Sequence, residues 1–485
     1  MQYIILGLYI FFMGFIFLYS LIQGHLILLY RKAKKQRHLL RLEDSNYTPW
    51  VTIQLPIYNE KYVIERLIDQ ITLLEYPKEY LEIQVLDDSN DETSTLVEQK
   101  VNEIKLLGFD ITHVKRVKNI GFKAGALQEG MHQCKGEFIA IFDADFMPEP
   151  DFLRKTIPHF KNSSIGVVQT RWAHLNENYS LLTKLQAFGL NAHFTIEQSA
   201  KNVAKHFINF NGTAGVWRKS CIIDAGGWQS DTITEDLDLS YRAQMKGWQF
   251  VFLEEVGCPA ELPVAMNALK NQQFRWTKGA AETAKKNLLT FLKTPGLGFT
   301  TKLHGFFHLL NSFLFVCILF TALLSVPILY IKHSSPNLSW LFNAAALLLL
   351  SLIILGLYYY ITQKRRTYEN SFLKSFPLFL SVSMGLSLHN AIAVIEGYFG
   401  IKSPFVRTPK FAITAQSGSW KDKRQYLKST FNVLTLLELL MCCYAFYGIY
   451  SAFKLNDFGL LPFHCMLALG FGYVSFFSYK HSLSV

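Results

Sequence analysis

The chain has 485 residues, half of them hydrophobic, and a formal net charge of +11. Its mean hydropathy of +0.17 is distributed unevenly, which is typical of a membrane protein. The seven cysteines show no C-x-x-C spacing, which argues against both a disulfide framework and a zinc site. Six basic residues directly follow the first apolar run: Arg31, Lys32, Lys34, Lys35, Arg37 and Arg41. This position is more typical of the cytoplasmic side of a membrane helix than of a nucleic-acid-binding surface.

Five apolar runs are long enough to cross a bilayer, which takes roughly 20 residues of helix. They are residues 3–29, 304–331, 340–361, 431–453 and 460–479. The first has no basic n-region and no small-residue cleavage site, so we predict a retained anchor over residues 1–30 instead of a signal peptide. Residues 31–298 have an ordinary soluble composition and are enough for one domain. The predicted order is therefore anchor, soluble domain and a membrane bundle over residues 299–485.

Strand-like and helix-like stretches alternate from Trp50 onward: WVTIQLPIY, a helical pattern, LEIQVLDD, and later EFIAIFDAD. This alternation predicts a mostly parallel sheet covered on both faces. Ligands bind such sheets at the carboxyl ends of the strands, where polar residues gather in this chain. The sequence has no G-x-G-x-x-G and no P-loop, which argues against a dehydrogenase or an ATPase.

The stretch FDAD places Asp143 and Asp145 two positions apart at the end of a buried strand. Two such carboxylates repel unless a cation lies between or near them. A divalent metal that bridges to a diphosphate would satisfy both, and a polar strand end followed by a turn is an equally open interpretation. Lys123 lies between small residues at a predicted helix start, where it could hold phosphate, although a lone lysine is more often only solvated.

Two further motifs lie on predicted helices. Thr232-x-x-Glu235 predicts a capping box, which would put Asp236 in the first helical turn as an ionised base. Gln272, Arg275 and Trp276 lie on a helix close to the next apolar run. They could anchor the chain at the membrane interface, or the arginine could hold phosphate and the indole could stack on a sugar. Taken alone, the anchor is the favoured interpretation of these three.

In this order, these motifs resemble the processive family 2 glycosyltransferases of the cellulose synthase superfamily, whose polymerising members carry Q-x-x-R-W. Longer stretches such as IAIFDADFMPEPDFL and TEDLDLSYRAQMKGW are similar to the cellulose synthase-like glucomannan and mannan synthases and their bacterial relatives. The likeness is dense over residues 50–286 and looser in the membrane helices. It implies an α/β GT-A domain, a nucleotide-diphospho-sugar transferase fold, inserted in an α-helical multi-span membrane bundle.

The resemblance also implies a role for each matched residue. Asp236 would be the catalytic base, and Asp145, with Asp143 beside it, would hold Mg²⁺ or Mn²⁺. The nucleotide sugar would be bound by Tyr58, Glu60, Asp87, Asp88, Lys123, Asp143, Gln272 and Arg275. The acceptor would be bound by Trp276, Phe210, Asn211, Gly212, Thr213 and Glu235. Cellulose synthases carry a cysteine where Asn211 stands, which is a departure within the acceptor loop.

Residues 372–399 are apolar as well. If they crossed the membrane, the basic loop that follows, residues 400–428, would lie outside, against the positive-inside tendency. We therefore predict an interface helix and a cytoplasmic loop. The loop resembles the F-x-V-T-x-K gating loop of cellulose synthases, in which Phe405, Thr408 and Lys410 would close over the donor and Arg407 replaces a valine. The alternative is an electrostatic tether to anionic lipid.

The leading hypothesis is a multi-pass protein of the cell (inner) membrane with a cytoplasmic catalytic domain. It would invert the donor linkage, extend a β-linked hexose polymer and translocate it. The donor would be GDP-mannose, which the resemblance favours, or GDP-glucose or UDP-glucose. One alternative is transfer of a single sugar to a polyprenyl phosphate. Another is a transporter, which the scarcity of ionisable residues in the apolar runs disfavours, Glu438 being the main exception.

Overall fold

The computed structural model describes residues 1–36, 47–344, 349–366, 372–404, 406–414, 420 and 433–483. Their strands form one seven-stranded sheet in the order β3-β2-β1-β4-β6-β5-β7. In chain order the strands are β1 (Val51–Ile57), β2 (Leu81–Asp87), β3 (Asp110–Lys115), β4 (Phe138–Ile141), β5 (Ile165–His174), β6 (Gly215–Arg218) and β7 (Gln249–Ala260). Strands β1 to β4 are parallel, and β6 runs antiparallel to β4 and β5. The predicted mostly parallel sheet is confirmed.

The helices are numbered in the same way. They are α1 (Gln2–Gln36), α2 (Ile64–Thr72), α3 (Thr93–Leu106), α4 (Phe122–Gln133), α5 (Phe152–Thr156), α6 (Leu181–Ala192), α7 (Gln198–Val203), α8 (Lys219–Asp224), α9 (Glu235–Met245), α10 (Met266–Lys293), α11 (Phe299–Leu309), α12 (Phe313–Ser334), α13 (Ser339–Ala344), α14 (Leu349–Arg365), α15 (Phe372–Gly385), α16 (Ser387–Phe399), α17 (Val433–Lys454) and α18 (Leu461–Leu483). A π-helical turn, His193–Glu197, joins α6 to α7.

Two apolar cores cover the sheet. Every residue of β1 and β2 is buried, as expected for strands packed on both faces. One core joins the strands to α2 and α3 through residues such as Leu67 and Val101. The other joins them to α4 and α9 through residues such as Leu127 and Leu239. The helices thus hold the carboxyl ends of the strands in fixed relative positions.

The parallel register brings the polar strand ends together. Ile57 pairs with Asp87 at the ends of β1 and β2, so the residues that follow the two strands are neighbours. Asn59 has a left-handed backbone with φ of 54°, and its N–H donates to Ser89 Oγ at 2.9 Å. The first polar motif therefore folds over the second at one edge of the sheet.

Four helices in the described residues are long and apolar enough to cross a membrane: residues Gln2–Lys32 of α1, and α12, α17 and α18. Helices α15 and α16 form a pair bent by 49° that would be a fifth span if it crosses as one. These helices flank the sheet domain on both sides in sequence, as in a membrane protein with one large extramembrane domain.

The bent pair lies against the helix that carries Gln272, Arg275 and Trp276. Lys278 of α10 donates to Glu396 Oε2 of α16 at 3.0 Å and to the carbonyl oxygen of Ile401 at 2.5 Å. A Cβ added to Gly397 would lie 2.7 Å from the Lys278 carbonyl oxygen. Helix α16 is thus fastened to the extramembrane domain, an arrangement compatible with the predicted interface helix.

Two of the predicted spans differ in detail from the helices observed. The run 304–331 is divided, since α11 ends at Leu309 and the apolar helix α12 begins at Phe313. Polar contacts explain the division: His304 Nε2 lies 2.8 Å from His25 Nδ1, and His308 Nδ1 lies 2.8 Å from the Tyr241 hydroxyl. The run 340–361 includes residues 345–348, which lie outside the described part, with α13 and α14 on either side of them.

Candidate active site

Lys123 stands at the centre of the candidate site. It lies in the first turn of α4, and its Nζ donates to Asp143 Oδ1 at 2.5 Å and to the Gly212 carbonyl oxygen at 2.8 Å. Burial opposes its charge, but the nearby Asp143, Glu235 and Asp236 outweigh burial and raise the pKa of Lys123. This ammonium is therefore a fixed positive charge on which a diphosphate could lie.

Asp236 lies beside Gly212, which has a φ of +79°. A Cβ added there would be 3.1 Å from Asp236 Oδ2, so only glycine leaves this close approach unstrained. Burial raises the pKa of Asp236 to about 6, although Lys123 and the N–H of Leu237 lower it. Burial, and then Asp236, raise the pKa of Glu235 to about 7. We call Lys123, Asp143, Glu235 and Asp236 the sheet-edge cluster.

The start of α9 differs from the sequence prediction. Its N-cap is Thr234, with no side-chain cap, and Glu235 is the first helical residue. The predicted capping box between Thr232 and Glu235 is therefore wrong: Thr232 Oγ1 instead donates to the Thr234 carbonyl oxygen at 3.4 Å. Asp236 still falls in the first turn, as predicted, because it is the second residue of a helix that begins at Glu235.

The two aspartates of FDAD face different partners. Asp143 contacts Lys123, and its backbone N–H donates to Thr213 Oγ1 at 2.9 Å. Asp145 is 3% exposed, and its Oδ2 accepts from Lys410 Nζ at 2.7 Å and from the Glu261 N–H at 3.1 Å. The Lys410 ammonium group thus contacts the Asp145 carboxylate, which is predicted to bind metal.

The predicted gating loop is described over residues 406–414, which we call the docked segment; Phe405 lies outside the described residues. Thr408 Oγ1 accepts from Arg275 at 2.8 Å. Arg407 contacts the Glu60 carboxylate and the Tyr58 carbonyl oxygen. Glu261 accepts from the N–H groups of Phe411 and Ile413 at 2.9 and 3.3 Å. The docked segment therefore lies directly on residues predicted to bind donor and metal.

The two adjacent aspartates at the end of β2, Asp87 and Asp88, have different contacts. Asp87 is buried, with His113 Nε2 2.8 Å from Oδ2 and the Ser89 N–H donating to Oδ1 at 2.8 Å. Burial favours a neutral Asp87, but the His113 and Ser89 contacts outweigh it and lower its pKa. These contacts hold the Asp87 carboxylate in place at the sheet edge, and its predicted nucleotide contact stays a prediction. Asp88 is better exposed and contacts Arg116.

The acceptor loop predicted at residues 210–213 lies between the sheet and α9. Phe210 is fully buried against Trp217, and its predicted acceptor contact stays a prediction. Thr213 is buried as well and fixes the Asp143 backbone. Asn211 and Gly212 remain as the loop residues beside the sheet-edge cluster. On α10, Gln272 and Trp276 are partly exposed, and the Trp276 ring lies 6.1 Å from Trp172.

Several contributors escaped the sequence analysis. Arg116 and Glu261 belong to no recognisable motif. Arg116 contacts Asp88, and Glu261 contacts the docked segment, only in the folded chain. His193, Glu197 and Lys201 are spaced four residues apart, which places them on one helical face. That spacing was the available signal, and it marks a chain of contacts leading to Asn211.

Carboxylates outnumber basic groups at the candidate site. Six carboxylates converge with four basic groups: Glu60, Asp143, Asp145, Glu235, Asp236 and Glu261 against Lys123, Arg275, Arg407 and Lys410. No three His, Cys, Asp or Glu side chains in the described ranges form a complete metal cage. A divalent ion on Asp145 would thus take further oxygen ligands from a diphosphate. The residues present fit such an ion.

Comparison with known proteins agrees with this geometry. The family model described as "Glycosyltransferase like family 2" matches residues 49–279. The chain is 44% identical over 275 residues to "Probable glucomannan 4-beta-mannosyltransferase 4" of Oryza sativa subsp. japonica, covering 55% of this chain and 49% of the relative. It is 38% identical over 319 residues to "Glucomannan 4-beta-mannosyltransferase 7" of Arabidopsis thaliana, covering 61% and 57%. The chain thus matches about half the length of these relatives.

The fold also has a solved counterpart. The mannosyltransferase PcManGT from Pyrobaculum calidifontis, solved in complex with GDP-Man and Mn²⁺, superposes with a TM-score of 0.52. The match covers 83% of this chain and 99% of that protein at 19% identity, a likeness that concerns the fold alone. The sheet order, the clustered acidic motifs and the family match lead to one conclusion. Residues 49–279, flanked by helices long enough to cross a membrane, have a GT-A-like mixed sheet and match the model of glycosyltransferase-like family 2.

Proposed function

We propose that the protein is an inverting hexosyltransferase that transfers sugar from a nucleotide donor to the growing end of a β-linked polysaccharide. The observation that carries this proposal is the meeting of Lys123, Asp143 and Asp236 around Gly212. Lys123, which could bind phosphate, and Asp236, a base with a raised pKa, both lie against the Gly212 loop. The identity to glucomannan mannosyltransferases supports GDP-mannose as donor and a β-mannan or glucomannan as product.

In this proposal Asp236 takes the proton of the acceptor hydroxyl while the hydroxyl oxygen attacks the anomeric carbon. The bond from that carbon to the diphosphate oxygen breaks, and the nucleoside diphosphate leaves with the bonding electrons. Attack from the side opposite the leaving group converts an α-linked donor into a β-glycoside. The base must be ionised, so the pKa of about 6 for Asp236 suits a reaction near neutral pH.

Stabilisation of the leaving group falls to the basic residues. Lys123 is fixed at the sheet edge, and Arg275 lies on α10 with its guanidinium near Asp143, Glu235 and Glu60. Preorganised charges of this kind stabilise the developing charge of the diphosphate. A bound Mg²⁺ or Mn²⁺, held by Asp145 with Asp143 nearby, would neutralise part of the same charge. Asp88, Tyr58 and Glu60 would border the nucleoside.

The docked segment is proposed as the gate over the donor site. Thr408 contacts Arg275, and Lys410 contacts Asp145, so the segment touches both the phosphate-binding and the metal-binding residues. When a donor enters, Lys410 would exchange Asp145 for a donor phosphate. The basic composition of the surrounding loop also supports a cytoplasmic location for the domain, and Trp276 would stack on the end of the polymer before it passes between the membrane helices.

The test is an assay of the purified full chain in lipid nanodiscs with Mn²⁺ and labelled GDP-mannose, GDP-glucose or UDP-glucose in parallel. We expect incorporation from GDP-mannose into a polymer that a β-mannanase degrades. A product confined to a single-sugar lipid, extractable into organic solvent, would overturn the polymerase proposal in favour of a lipid acceptor. An Asp236→Asn variant run beside the wild type shows whether the incorporation depends on this site.

A further inference from the structure

A line of buried charges leads from the helix behind the site to the acceptor loop. Glu197 Oε1 accepts from Lys201 Nζ at 2.5 Å, and Glu197 Oε2 lies 2.9 Å from His193 Nδ1. The side chains of Lys201 and Glu197 are only 3% and 13% exposed. His193 and Glu197 begin and end the π-helical turn, and Lys201 lies within α7; π-helical turns occur frequently at functional sites.

Glu197 is an anion in this arrangement. Burial favours its neutral form, but Lys201 and His193 outweigh burial and lower the pKa of Glu197 well below its usual value. A carboxylate only accepts hydrogen bonds. His193 Nδ1 must therefore carry a hydrogen and donate it to Glu197 Oε2.

The other ring nitrogen has an acceptor as well. His193 Nε2 lies 3.1 Å from Asn211 Oδ1, which also accepts from Asn209 Nδ2 at 2.8 Å. The reverse orientation of the Asn211 amide would set its NH₂ group against that of Asn209. In the observed orientation the Asn211 amide oxygen, which only accepts hydrogen bonds, faces both His193 Nε2 and Asn209 Nδ2.

This arrangement determines which part of Asn211 remains for a ligand. Its oxygen is engaged twice, and its NH₂ group has one long contact, 3.4 Å to the Asn209 carbonyl oxygen. An amide NH₂ carries two hydrogens, so it retains a hydrogen for another acceptor. Asn211 directly precedes Gly212, against which Asp236 lies.

We infer that Glu197 and His193 position the Asn211 amide as a hydrogen-bond donor to a hydroxyl oxygen of the acceptor sugar. This inference rests on the proposed function, since it names a contact of the acceptor loop. His193 is then a positioning residue that acts through Asn211, and Lys201 balances the charge of Glu197. The inference also gives a reason for asparagine at position 211: a cysteine thiol could not accept two strong hydrogen bonds and donate another as an amide does.

The experiment measures initial rates of transfer from the donor that the wild type uses to a short β-linked manno-oligosaccharide, varying donor and acceptor separately. For His193→Phe we expect the acceptor KM to rise about tenfold, the upper end of the effect of losing one hydrogen bond. The donor KM, kcat and donor hydrolysis without acceptor should stay within about twofold. The acceptor KM of His193→Gln, which keeps one donor, should fall between those of the wild type and His193→Phe. The matched control is His132→Phe, at an exposed histidine of α4.

A double variant separates positioning from general structural damage. Since His193 acts through Asn211, His193→Phe with Asn211→Ala should be no worse than Asn211→Ala alone. Additive losses, an unchanged acceptor KM, or an equal rise in the donor KM would overturn the inference. Absence of any transfer by the wild type would overturn the proposed function and this inference with it.

Discussion

The two halves of the candidate site are built in different ways. The sheet-edge cluster is supported by the sheet domain itself: Lys123 reaches Asp143 and a backbone carbonyl, and Thr213 fixes the Asp143 backbone. The docked segment reaches the same site from more than a hundred residues away in sequence, and its cations lie on Glu60 and Asp145. Donor and metal would need those two carboxylates. We therefore expect one half that is ready before the ligand arrives and one that must exchange partners.

The largest effect should come from the base of the sheet-edge cluster. Asp236→Asn keeps the size of the side chain but removes the proton acceptor, and we expect transfer to fall about a thousandfold. The control is Asp224→Asn, an exposed aspartate of α8 that contacts Trp248. Both variants should insert into membranes and bind donor as the wild type does. If Asp236→Asn retained a tenth of the activity, the base would have to be sought elsewhere, with Glu235 as the next candidate.

Lys123 tests whether the cluster acts as one electrostatic unit. Lys123→Met should lower transfer about a hundredfold through loss of a positive charge at the leaving diphosphate. It should also move the pH profile. The rate of the wild type should rise as pH increases through about 6, where Asp236 loses its proton, and because Lys123 lowers that pKa, its removal should shift the rise towards higher pH. Lys123→Arg, which keeps the charge, should leave the rise in place, and an unmoved profile in Lys123→Met would mean that Asp236 does not set it.

Lys410 tests the half that must exchange partners. With its ammonium on Asp145, it competes with a divalent ion for the same carboxylate. Lys410→Met should therefore bind Mn²⁺ roughly five- to tenfold more tightly in the absence of donor, as measured by titration calorimetry or by the spin resonance signal of free Mn²⁺. Transfer should nevertheless fall, since the gate loses its phosphate contact. Lys402→Met, at an exposed position in the same loop, is the control, and unchanged Mn²⁺ affinity in Lys410→Met would show that metal and ammonium do not share Asp145.

The same contrast explains how far the sequence could predict the molecule. Strands β1, β2 and β4 follow from local apolar runs, which the sheet preserves, whereas Asp236 keeps its first-turn position although the predicted capping box does not form. The contact between Asp87 and His113 joins two strands, and no local pattern indicates that pairing. Phe210 packs on Trp217, a contact that arises only when β6 joins the sheet. Tertiary partners, and not local propensities, decide these cases.

Arg407 should give the smallest effect, and one that depends on pH. The resemblance to cellulose synthases gives it no task, since a valine stands there, yet it contacts the buried carboxylate of Glu60. Burial raises the pKa of Glu60 to about 7, and Arg407 lowers it, so Arg407→Val should raise that pKa further. In an assay at about pH 6.5 to 7, Glu60 of the Arg407→Val variant can take up a proton. Transfer should therefore change by no more than about threefold.

Above pH 8 the same variant would have to keep an unpaired carboxylate buried, which is costly, so the donor KM should rise more steeply with pH than in the wild type. Arg407→Lys should follow the wild type. A loss that is large at every pH would mean that Arg407 contacts the donor directly. No loss at any pH would mean that the docked segment leaves Glu60 before the donor binds, and that the exchange of partners depends on Lys410 alone.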